Sequence, residues 1–516
     1  MGTTRLRRNT AIYTAKLAAK LIRRIGKGRG DTLPGRIARF ICPDILALLA
    51  CEVRGKIIVT TGTNGKTTVN SIICHALECE GRRVIINKTG SNMINGITAA
   101  FVLAAGRSGR TDADYACIEV DELAAVKAFP ELRPDIVILT NISRDQLDRF
   151  GEVDITCSKI RAAISSVPDA VLVVNCDDLL SYGLSLDCPN RAVTYGINER
   201  VFDETSRSDI RESIFCKVCG EKLAYEFFHY GQLGIYKCPH CGFERPVPDY
   251  TASQINHAGE NYSFYINTQA HSRTAFSPQT AGDVFIDAPL RFSYNVYNIL
   301  CVYAALRTAH IPHENFSKSI ETFDYGNDRE SVFTINDASV QLHLAKNPVG
   351  FQQKISFIMQ DPKPKDIIIQ INDTFQDGKD ISWLWDVDFG YLSGCNAVNI
   401  FASGSRRFDM GLRLKYEDIP CRFTTDMRET VKELTSHAAK NLYIIVNYSG
   451  LYETNRMLAE LQDAQNERNA QSRQNAQNGQ KMQSSAGIGK HSSANFGRKR
   501  KKRFRRFFRE IFTKEV

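Results

Sequence analysis

The sequence lacks any run of eighteen or more apolar residues, although 43% of its 516 residues are hydrophobic. A helix needs about twenty mostly apolar residues to cross a bilayer, so this absence argues against a membrane-spanning segment. The N-terminal stretch also lacks the apolar centre and the small-residue cleavage site of a secretory signal peptide. We therefore expect a cytoplasmic protein with enough apolar residues for two folded domains and some appended segments.

Acidic residues are scarce at both ends of the chain. The first thirty residues hold nine Lys or Arg and no acid, and the last twenty hold ten Lys or Arg against two acids. The two ends together carry +17 of a net charge of +9, so the remaining 466 residues carry about −8. An acidic body counts against a nucleic-acid partner. We expect a basic helical segment at 1–45 and a second basic segment at the other end.

Disulfide-like pairing of cysteines is absent from most of the sequence. Eleven of the fifteen cysteines, such as Cys74, Cys117 and Cys301, stand singly in apolar surroundings, as reduced core thiols do. The other four form two Cys-x-x-Cys pairs with eighteen residues between them. That spacing predicts a closed structural zinc ribbon, inserted at about 212–246, in which four thiolates hold Zn²⁺. Its ligands would be Cys216, Cys219, Cys238 and Cys241.

Alternating β-branched and helical stretches predict an α/β fold with parallel sheets. A strand that follows Gly55 is succeeded by strand-like segments at 115–120, 135–140 and 170–175, which indicates a first domain at 46–325. A second, smaller α/β domain is expected at 326–460. Its strands would lie at 367–372, 396–403 and 442–447.

Beyond residue 460 the composition changes twice. Residues 461–496 are rich in Gln, Asn, Ser and Ala, so we expect a disordered linker. In the basic segment 497–516, apolar side chains recur at helical spacing between arginines, which is typical of a helix lying in an anionic membrane interface. A helix packed on its own domain or on a partner is the alternative. The apolar stripe comprises Phe504, Phe507, Phe508, Ile511 and Phe512.

A glycine-containing loop joins the first predicted strand to a helical stretch and reads TGTNGKTT over residues 61–68. Backbone N–H groups of such an exposed loop cradle phosphates, Lys66 would reach the β- and γ-phosphate oxygens, and the Thr67 hydroxyl would help to hold Mg²⁺. The loop therefore predicts ATP binding. The ATP-binding residues expected there are Gly62, Thr63, Asn64, Gly65, Lys66, Thr67 and Thr68.

The loop and four later segments, in the same order, resemble the Mur ligases and the folylpolyglutamate synthases. The later segments are Glu119-Val-Asp-Glu122, Thr140–Arg149, Asn175-Cys-Asp-Asp178 and Tyr294-Asn-Val-Tyr-Asn298. The resemblance implies that Glu119 shares Mg²⁺ with Thr67. It also implies that Asn295, Asn298 and Arg329 lie near the nucleotide.

The inserted cysteine pairs and two C-terminal segments, 344–351 and 377–388, narrow the resemblance to the MurT branch of that family. This resemblance implies ATP-dependent amidation of the D-glutamate α-carboxyl of lipid II through an acyl phosphate, at the inner face of the plasma membrane. Ammonia would come from a GatD-like glutaminase subunit, because the sequence contains no G-x-C-x-G nucleophile elbow.

The acidic residues of the 377–388 segment are candidates for completing the partner's Cys-His pair in such enzymes. They follow a predicted strand, and Trp383 and Trp385 between them favour a docked surface over a solvated acidic loop. The acidic candidates are Asp377, Asp380, Asp386 and Asp388.

Two other functions compete with amidation. A Mur or folylpolyglutamate ligase that adds an amino acid would share the ATP loop, but the ribbon and the 344–351 segment argue against it. A nucleic-acid-binding ATPase with a zinc ribbon and basic ends is the second alternative, against which the acidic body counts.

Overall fold

The computed structural model describes most of the chain, with gaps at both ends and in several loops. The described residues are 2–25, 32–87, 91–106, 108–144, 153–201, 213–258, 261–269, 283–290, 292–311, 314–325, 330–374, 377–436 and 441–485. Arg329 and the basic segment 497–516 therefore lie outside the described residues.

Helices and strands alternate through both parts of the described chain. The helices are α1 Gly2–Ile25, α2 Leu33–Ile41, α3 Ile45–Ala50, α4 Lys66–Cys79, α5 Ile94–Ala104, α6 Ala125–Leu132, α7 Val153–Ser165, α8 Leu179–Leu186, α9 Tyr294–Thr308, α10 Phe316–Glu321, α11 Pro348–Gln360, α12 Arg407–Lys415, α13 Met427–Thr435 and α14 Tyr448–Ser485. The strands are β1 Ile57–Thr61, β2 Val84–Ile86, β3 Tyr115–Glu119, β4 Ile136–Leu139, β5 Val171–Asn175, β6 Ala192–Ile197, β7 Ala224–Phe228, β8 Gly234–Lys237, β9 Tyr250–Ala258, β10 Asn261–Thr268, β11 Val284–Ala288, β12 Glu330–Ile335, β13 Ala338–Leu344, β14 Lys365–Gln370, β15 Ala397–Ser403, β16 Arg422–Phe423 and β17 Asn441–Val446.

The first sheet of the described chain contains nine strands in the order β11-β10-β9-β6-β5-β4-β1-β3-β2. Strands β1 to β6 pair in parallel, which confirms the prediction of a parallel sheet with crossover helices. The β9–β10–β11 meander adds antiparallel strands at one edge. The sequence did not predict this extension.

Both faces of the first sheet are covered, because successive strand residues point to opposite sides. In β1, Ile57 and Val59 join the core beneath α1, α2, α3, α5, α6 and α7, whereas Ile58 joins the opposite core beneath α4, α9 and α10. Strand β5 divides in the same way, with Leu172 and Val174 on one face and Val173 on the other. The N-terminal helices are thus part of the first core.

The second sheet has six strands in the described chain, in the order β12-β13-β17-β14-β15-β16. Strand β12 is antiparallel to β13, and the remaining pairs are parallel. Helices α11 and α12 cover one face together with two 3₁₀ turns, Ser382–Asp386 and Phe389–Gly394. The smaller α/β domain is therefore present as predicted.

Helix α14 differs from the predicted disordered linker, because the structure continues this helix to Ser485. The physical reason lies in the composition of 461–485, where 16 of the 25 residues are Ala, Leu, Met, Gln, Glu, Lys or Arg. These residues have high intrinsic helix propensity, whereas the prediction used only their low hydrophobicity. Of the described residues, no helix combines the length and apolarity needed to span a bilayer.

The single cysteines are only partly the core thiols that the sequence predicted. Cys74, Cys117 and Cys301 are buried, and burial raises the pKa of the Cys301 thiol to about 12. Cys51 and Cys79, in contrast, are exposed. None of the cysteines forms a disulfide in the described chain.

Candidate active site and metal centre

The predicted phosphate loop lies where β1 meets α4, at the carboxyl edge of the parallel strands. Gly62 has φ +118° and Gly65 has φ +85°, conformations that side-chain-bearing residues rarely adopt. A Cβ atom on Gly62 would come within 2.5 Å of Thr140 Oγ1, and one on Gly65 within 2.6 Å of Asn298 Oδ1. Both glycines are therefore required for this loop to pack at the sheet edge.

The loop backbone is fastened to the segment that follows β4. The N–H of Thr63 donates to the Asn141 carbonyl at 2.7 Å, and the N–H of Asn64 donates to Asn141 Oδ1 at 3.1 Å. Thr63 Oγ1 accepts from the Ser143 N–H at 3.0 Å. The 140–143 part of the family-like segment thus shapes the phosphate loop directly.

Lys66 begins α4 and is buried, in contrast to the exposed loop that the sequence predicted. Its amine donates to the carbonyl oxygens of Gly62 and Thr63 and lies 3.1 Å from Glu122 Oε1. Because the loop folds back over the lysine stem, the charge is enclosed and needs a buried counter-charge. Glu122, which lies in the predicted acidic segment but had no assigned role, supplies it.

Thr67 and Glu119, the two residues predicted to hold Mg²⁺, are in direct contact. The Thr67 hydroxyl donates to Glu119 Oε2 at 2.7 Å, and Asn92 Nδ2 donates to Glu119 Oε1 at 3.0 Å. The Glu119 backbone is held by Asn87 through hydrogen bonds of 2.8 and 2.9 Å. A hydroxyl and a carboxylate oxygen are ligands that suit Mg²⁺ beside substrate phosphates, so these residues fit the ion.

The predicted nucleotide asparagines lie at the start of α9. Asn298 faces Gly65, and its Nδ2 donates to Asn295 Oδ1 at 2.9 Å. The structure thus gathers the loop, Glu119 and this asparagine pair in one place. The sequence identified these asparagines because the segment Tyr294–Asn298 follows the other family-like segments in the order found in the family.

The acidic residues of 377–388 do not form one cluster. Asp377 accepts from Thr374 Oγ1 and the Ser449 N–H inside the second domain, and Asp380 accepts from the Ser382 N–H in its own turn. Asp386 instead pairs with Arg144 of the first domain at 3.1 Å. Asp388 begins the second 3₁₀ turn, and its N–H donates to Gln352. Trp383 is a buried core residue, which corrects its interpretation as a docking residue, whereas Trp385 is exposed.

Two aspartates that follow β5 anchor the inserted segment to the first domain. Asp177 accepts from Arg245 Nε and the Tyr297 hydroxyl, each at 2.5 Å. Asp178 accepts from the Ile142 N–H at 2.8 Å and from Gln232 Nε2 at 2.6 Å. Burial raises the pKa of the Asp178 carboxyl, and its hydrogen bonds oppose that rise. No spacing pattern in the sequence pointed to Arg245 or Gln232.

The four paired cysteines converge at one end of the insert and form a candidate metal centre. All four sulfur atoms lie within 4.8 Å of one another, with 3.5 Å from Cys216 to Cys241 and from Cys219 to Cys238. Tetrahedral zinc with Zn–S bonds of about 2.3 Å places its sulfurs about 3.8 Å apart. The Cys241 N–H lowers the pKa of the Cys238 thiol to about 6. This donor set fits a zinc ion.

The fold of this chain is similar to the folds of solved ligase structures. The chain is similar to a pseudomurein peptide ligase type C from Methanothermus fervidus, with 21% identity, TM-score 0.61 and coverage of 79% of each chain. It also resembles MurF from Acinetobacter baumannii, with 16% identity, TM-score 0.59 and coverage of 83% of this chain and 80% of that one. A family model described as the Mur ligase middle domain matches residues 60–237. Fold and site define an ATP-dependent ligase of the Mur-ligase class.

The curated relatives are more specific. Relatives from Staphylococcus aureus and Streptococcus pneumoniae are described as the MurT subunit of lipid II isoglutaminyl synthase (glutamine-hydrolyzing). The Staphylococcus aureus (strain COL) protein is 35% identical, over 80% of this chain and 89% of its own length. The Streptococcus pneumoniae (strain ATCC BAA-255 / R6) protein is 32% identical, over 86% of this chain and 95% of its own length. The MurT ligase C-terminal model matches residues 344–451. The chain belongs to the MurT family.

Zinc content tests the metal centre. Cys219→Ala should release the metal, because three thiolates bind zinc far more weakly than four and the small insert lacks a large core of its own. Metal analysis of purified protein should find stoichiometric zinc in the wild type and in Cys51→Ala, which removes an exposed single cysteine. A wild-type protein without zinc would show that the four thiols serve another purpose.

Proposed function

We propose that this chain is the synthetase subunit that amidates the α-carboxyl of D-glutamate in lipid II to D-isoglutamine. The observation that carries the proposal is the convergence of Lys66, Thr67 and Glu119 at a phosphate loop in a chain of the MurT family. The names of the two relatives supply the substrate and the use of glutamine. A match to the MurT C-terminal domain favours amidation over the addition of an amino acid.

The chemistry proceeds through an acyl phosphate. An oxygen of the substrate carboxylate attacks the γ-phosphorus of ATP, and the bond to the bridging oxygen breaks to release ADP. Ammonia then attacks the acyl carbon, phosphate leaves with the bonding electrons, and the new amide nitrogen loses a proton. The substrate carboxylate and the γ-phosphate of ATP are both anionic, so Lys66 is required to offset their repulsion. Mg²⁺ held by Thr67 and Glu119 would supply further positive charge at the phosphates.

Ammonia would come from a GatD-like glutaminase that binds the second domain. An exposed aromatic patch lies along α12, where Phe408, Leu412 and Tyr416 recur every fourth residue. Phe423 packs against Phe408 at 5.2 Å and Trp385 against Tyr416 at 5.1 Å, so the patch is continuous. Exposed aromatic residues of this kind are typical of protein interfaces. We refer to Trp385, Phe408, Leu412, Tyr416 and Phe423 as the aromatic patch.

A lipid-linked substrate also requires the enzyme to work at a membrane surface, and α1 has the character of an interfacial helix. Its small face, with Ala11, Ala15 and Ala19, is buried against the first domain. The opposite face exposes Leu6, Tyr13, Leu17 and Leu21 between basic side chains. A cavity of about 520 Å³ beside it is lined by Lys16, Lys20, Arg24 and Leu103. This combination suits anionic headgroups and acyl chains. We infer a cytoplasmic protein that binds the inner membrane face peripherally.

Lys66→Ala tests the nucleotide site. ATP-dependent amidation should fall by about a hundredfold or more, because the variant loses the positive charge at the transferred phosphate. The matched control is Lys56→Ala, which removes a half-exposed lysine paired with Asp135. Because Lys66 also pairs with buried Glu122, the double variant Lys66→Ala/Glu122→Gln should be measured if the single variant is unstable. Full turnover in a folded variant would refute the assignment.

Leu412→Glu tests the partner surface. We expect complex formation with the glutaminase and glutamine-dependent amidation to fall by about tenfold or more, because a charge would be buried in the interface. Activity with ammonium should persist. Leu186→Glu changes an equally exposed leucine on α8 and should have neither effect. An intact complex in size-exclusion chromatography would place the partner elsewhere.

Asp386→Asn, which breaks the pair with Arg144, should instead lower both the glutamine-dependent and the ammonium-dependent activity.

Liposome sedimentation tests the membrane surface. Replacing Leu17 and Leu21 together by Glu should weaken binding to phosphatidylglycerol vesicles by about tenfold or more, since it removes apolar area and adds negative charge. Deletion of 497–516 tests the predicted interfacial helix in the same assay, with Leu186→Glu as control for both. Unchanged sedimentation of the α1 variant would exclude α1, and unchanged sedimentation of both variants would exclude the membrane proposal.

A further inference from the structure

The inserted ribbon reaches the nucleotide site with the end that is farthest from its cysteines. Strands β7 and β8 form a hairpin whose tip spans residues 229–233, whereas the cysteine pairs precede β7 and follow β8. At about 3.3 Å per residue, four or five strand residues separate the two ends by roughly 15 Å. The tip is not a solvent-exposed turn, because His229, Gln232 and Leu233 are all buried.

Gln232 connects this tip to Ile142 and Asp178 of the first domain. Its Nε2 donates to the Ile142 carbonyl and to Asp178 Oδ1, both at 2.6 Å. The other oxygen of Asp178 accepts from the Ile142 N–H at 2.8 Å. Both backbone polar groups of Ile142 are therefore fixed by a pair formed between the insert and the turn after β5.

Ile142 stands between the two residues that hold the phosphate loop. Asn141 accepts from the N–H groups of Thr63 and Asn64, and Ser143 exchanges hydrogen bonds with Thr63 at 3.0 and 3.1 Å. A displacement of Ile142 would shift both neighbours and, with them, the loop backbone that receives the phosphates.

The second domain contacts both the hairpin tip and the phosphate loop. A Cβ atom on Gly231 would lie 3.6 Å from the side chain of Val349, and Asn347 Nδ2 donates to Asn64 Oδ1 at 3.1 Å. The hairpin tip thus lies where the phosphate loop and the start of α11 come together.

We propose that Gln232 is a positioning residue for the phosphate loop, and that the metal-binding insert contributes to nucleotide binding through it. The inference rests on the proposed ATP site. Gln232 donates two short hydrogen bonds to buried acceptors. If the donor is removed, these acceptors stay buried without a partner, which costs free energy. The ribbon therefore does more than stabilise its own fold, because it supports the loop through Ile142.

Gln232→Leu is the direct test, in the full-length protein with its glutaminase. The KM for ATP and the Kd for ADP should rise by about tenfold, whereas kcat at saturating ATP should change by less than about threefold. Zinc content should equal that of the wild type. Glu226→Leu, an exposed position on β7 of the same hairpin, should leave all these values unchanged.

Hydrogen exchange supplies a second readout. Amides of 61–65 and 140–143 should exchange faster in Gln232→Leu than in the wild type without nucleotide, because the loop support is weakened. If Gln232→Leu does not fold, Gln232→Met has a similar length and also lacks the donor, so it carries the same expectations.

The outcomes separate this inference from the proposed function. A wild type that fails to bind ADP would refute the nucleotide site itself. Wild-type affinity for ADP in a folded, zinc-loaded Gln232 variant would overturn only the positioning role. An equal fall in kcat with an unchanged KM would also overturn it, because that result would indicate an effect on a later step.

Discussion

Two adjacent buried carboxylates, Asp177 and Asp178, constrain the arrangement of the first domain. A carboxylate without exposed surface is costly unless every oxygen receives hydrogen bonds or a counter-charge. Asp177 meets this requirement through Arg245 and Tyr297, and Asp178 meets it in part through Gln232. These partners come from the insert and from α9, which are distant in sequence. The end of β5 therefore fixes the positions of both.

The same constraint underlies the role in nucleotide binding that we propose for the inserted module. The metal end of the insert packs against Leu179 of α8 through Cys216 and Cys238. Its hairpin tip and Arg245 make further contacts, and both reach the turn after β5. That turn adjoins the segment that holds the phosphate loop. In the role proposed for Gln232, zinc would stabilise the hairpin, and the hairpin would support the loop through the side-chain hydrogen bonds of Gln232.

Polar contacts between the two α/β domains also converge near the nucleotide loop. Asn347 bonds Asn64 of the loop, Asp386 pairs with Arg144, and Lys354 donates to the Tyr294 hydroxyl at the start of α9. Of these contacts, the Arg144–Asp386 pair is partly exposed, so it can separate at modest cost, whereas Asn347 and Lys354 are buried. The aromatic patch on α12 is the surface that we propose for the glutaminase subunit.

Features that depend on neighbours in the chain were predictable from the residue pattern. The phosphate loop, the parallel strands and the spacing of the four cysteines follow from local periodicity, glycine positions and ligand geometry, and all are present in the structure. The tertiary structure alone decided which distant polar groups meet: Glu122 with Lys66, Arg245 with Asp177, and Gln232 with Ile142. It also separated the aspartates of 377–388: Asp386 pairs with Arg144 of the first domain, whereas Asp377 accepts from the Ser449 N–H within the second domain. The physical reason is that hydrogen bonds and ion pairs depend on a few ångströms of separation, and chain folding brings together residues that no local pattern connects.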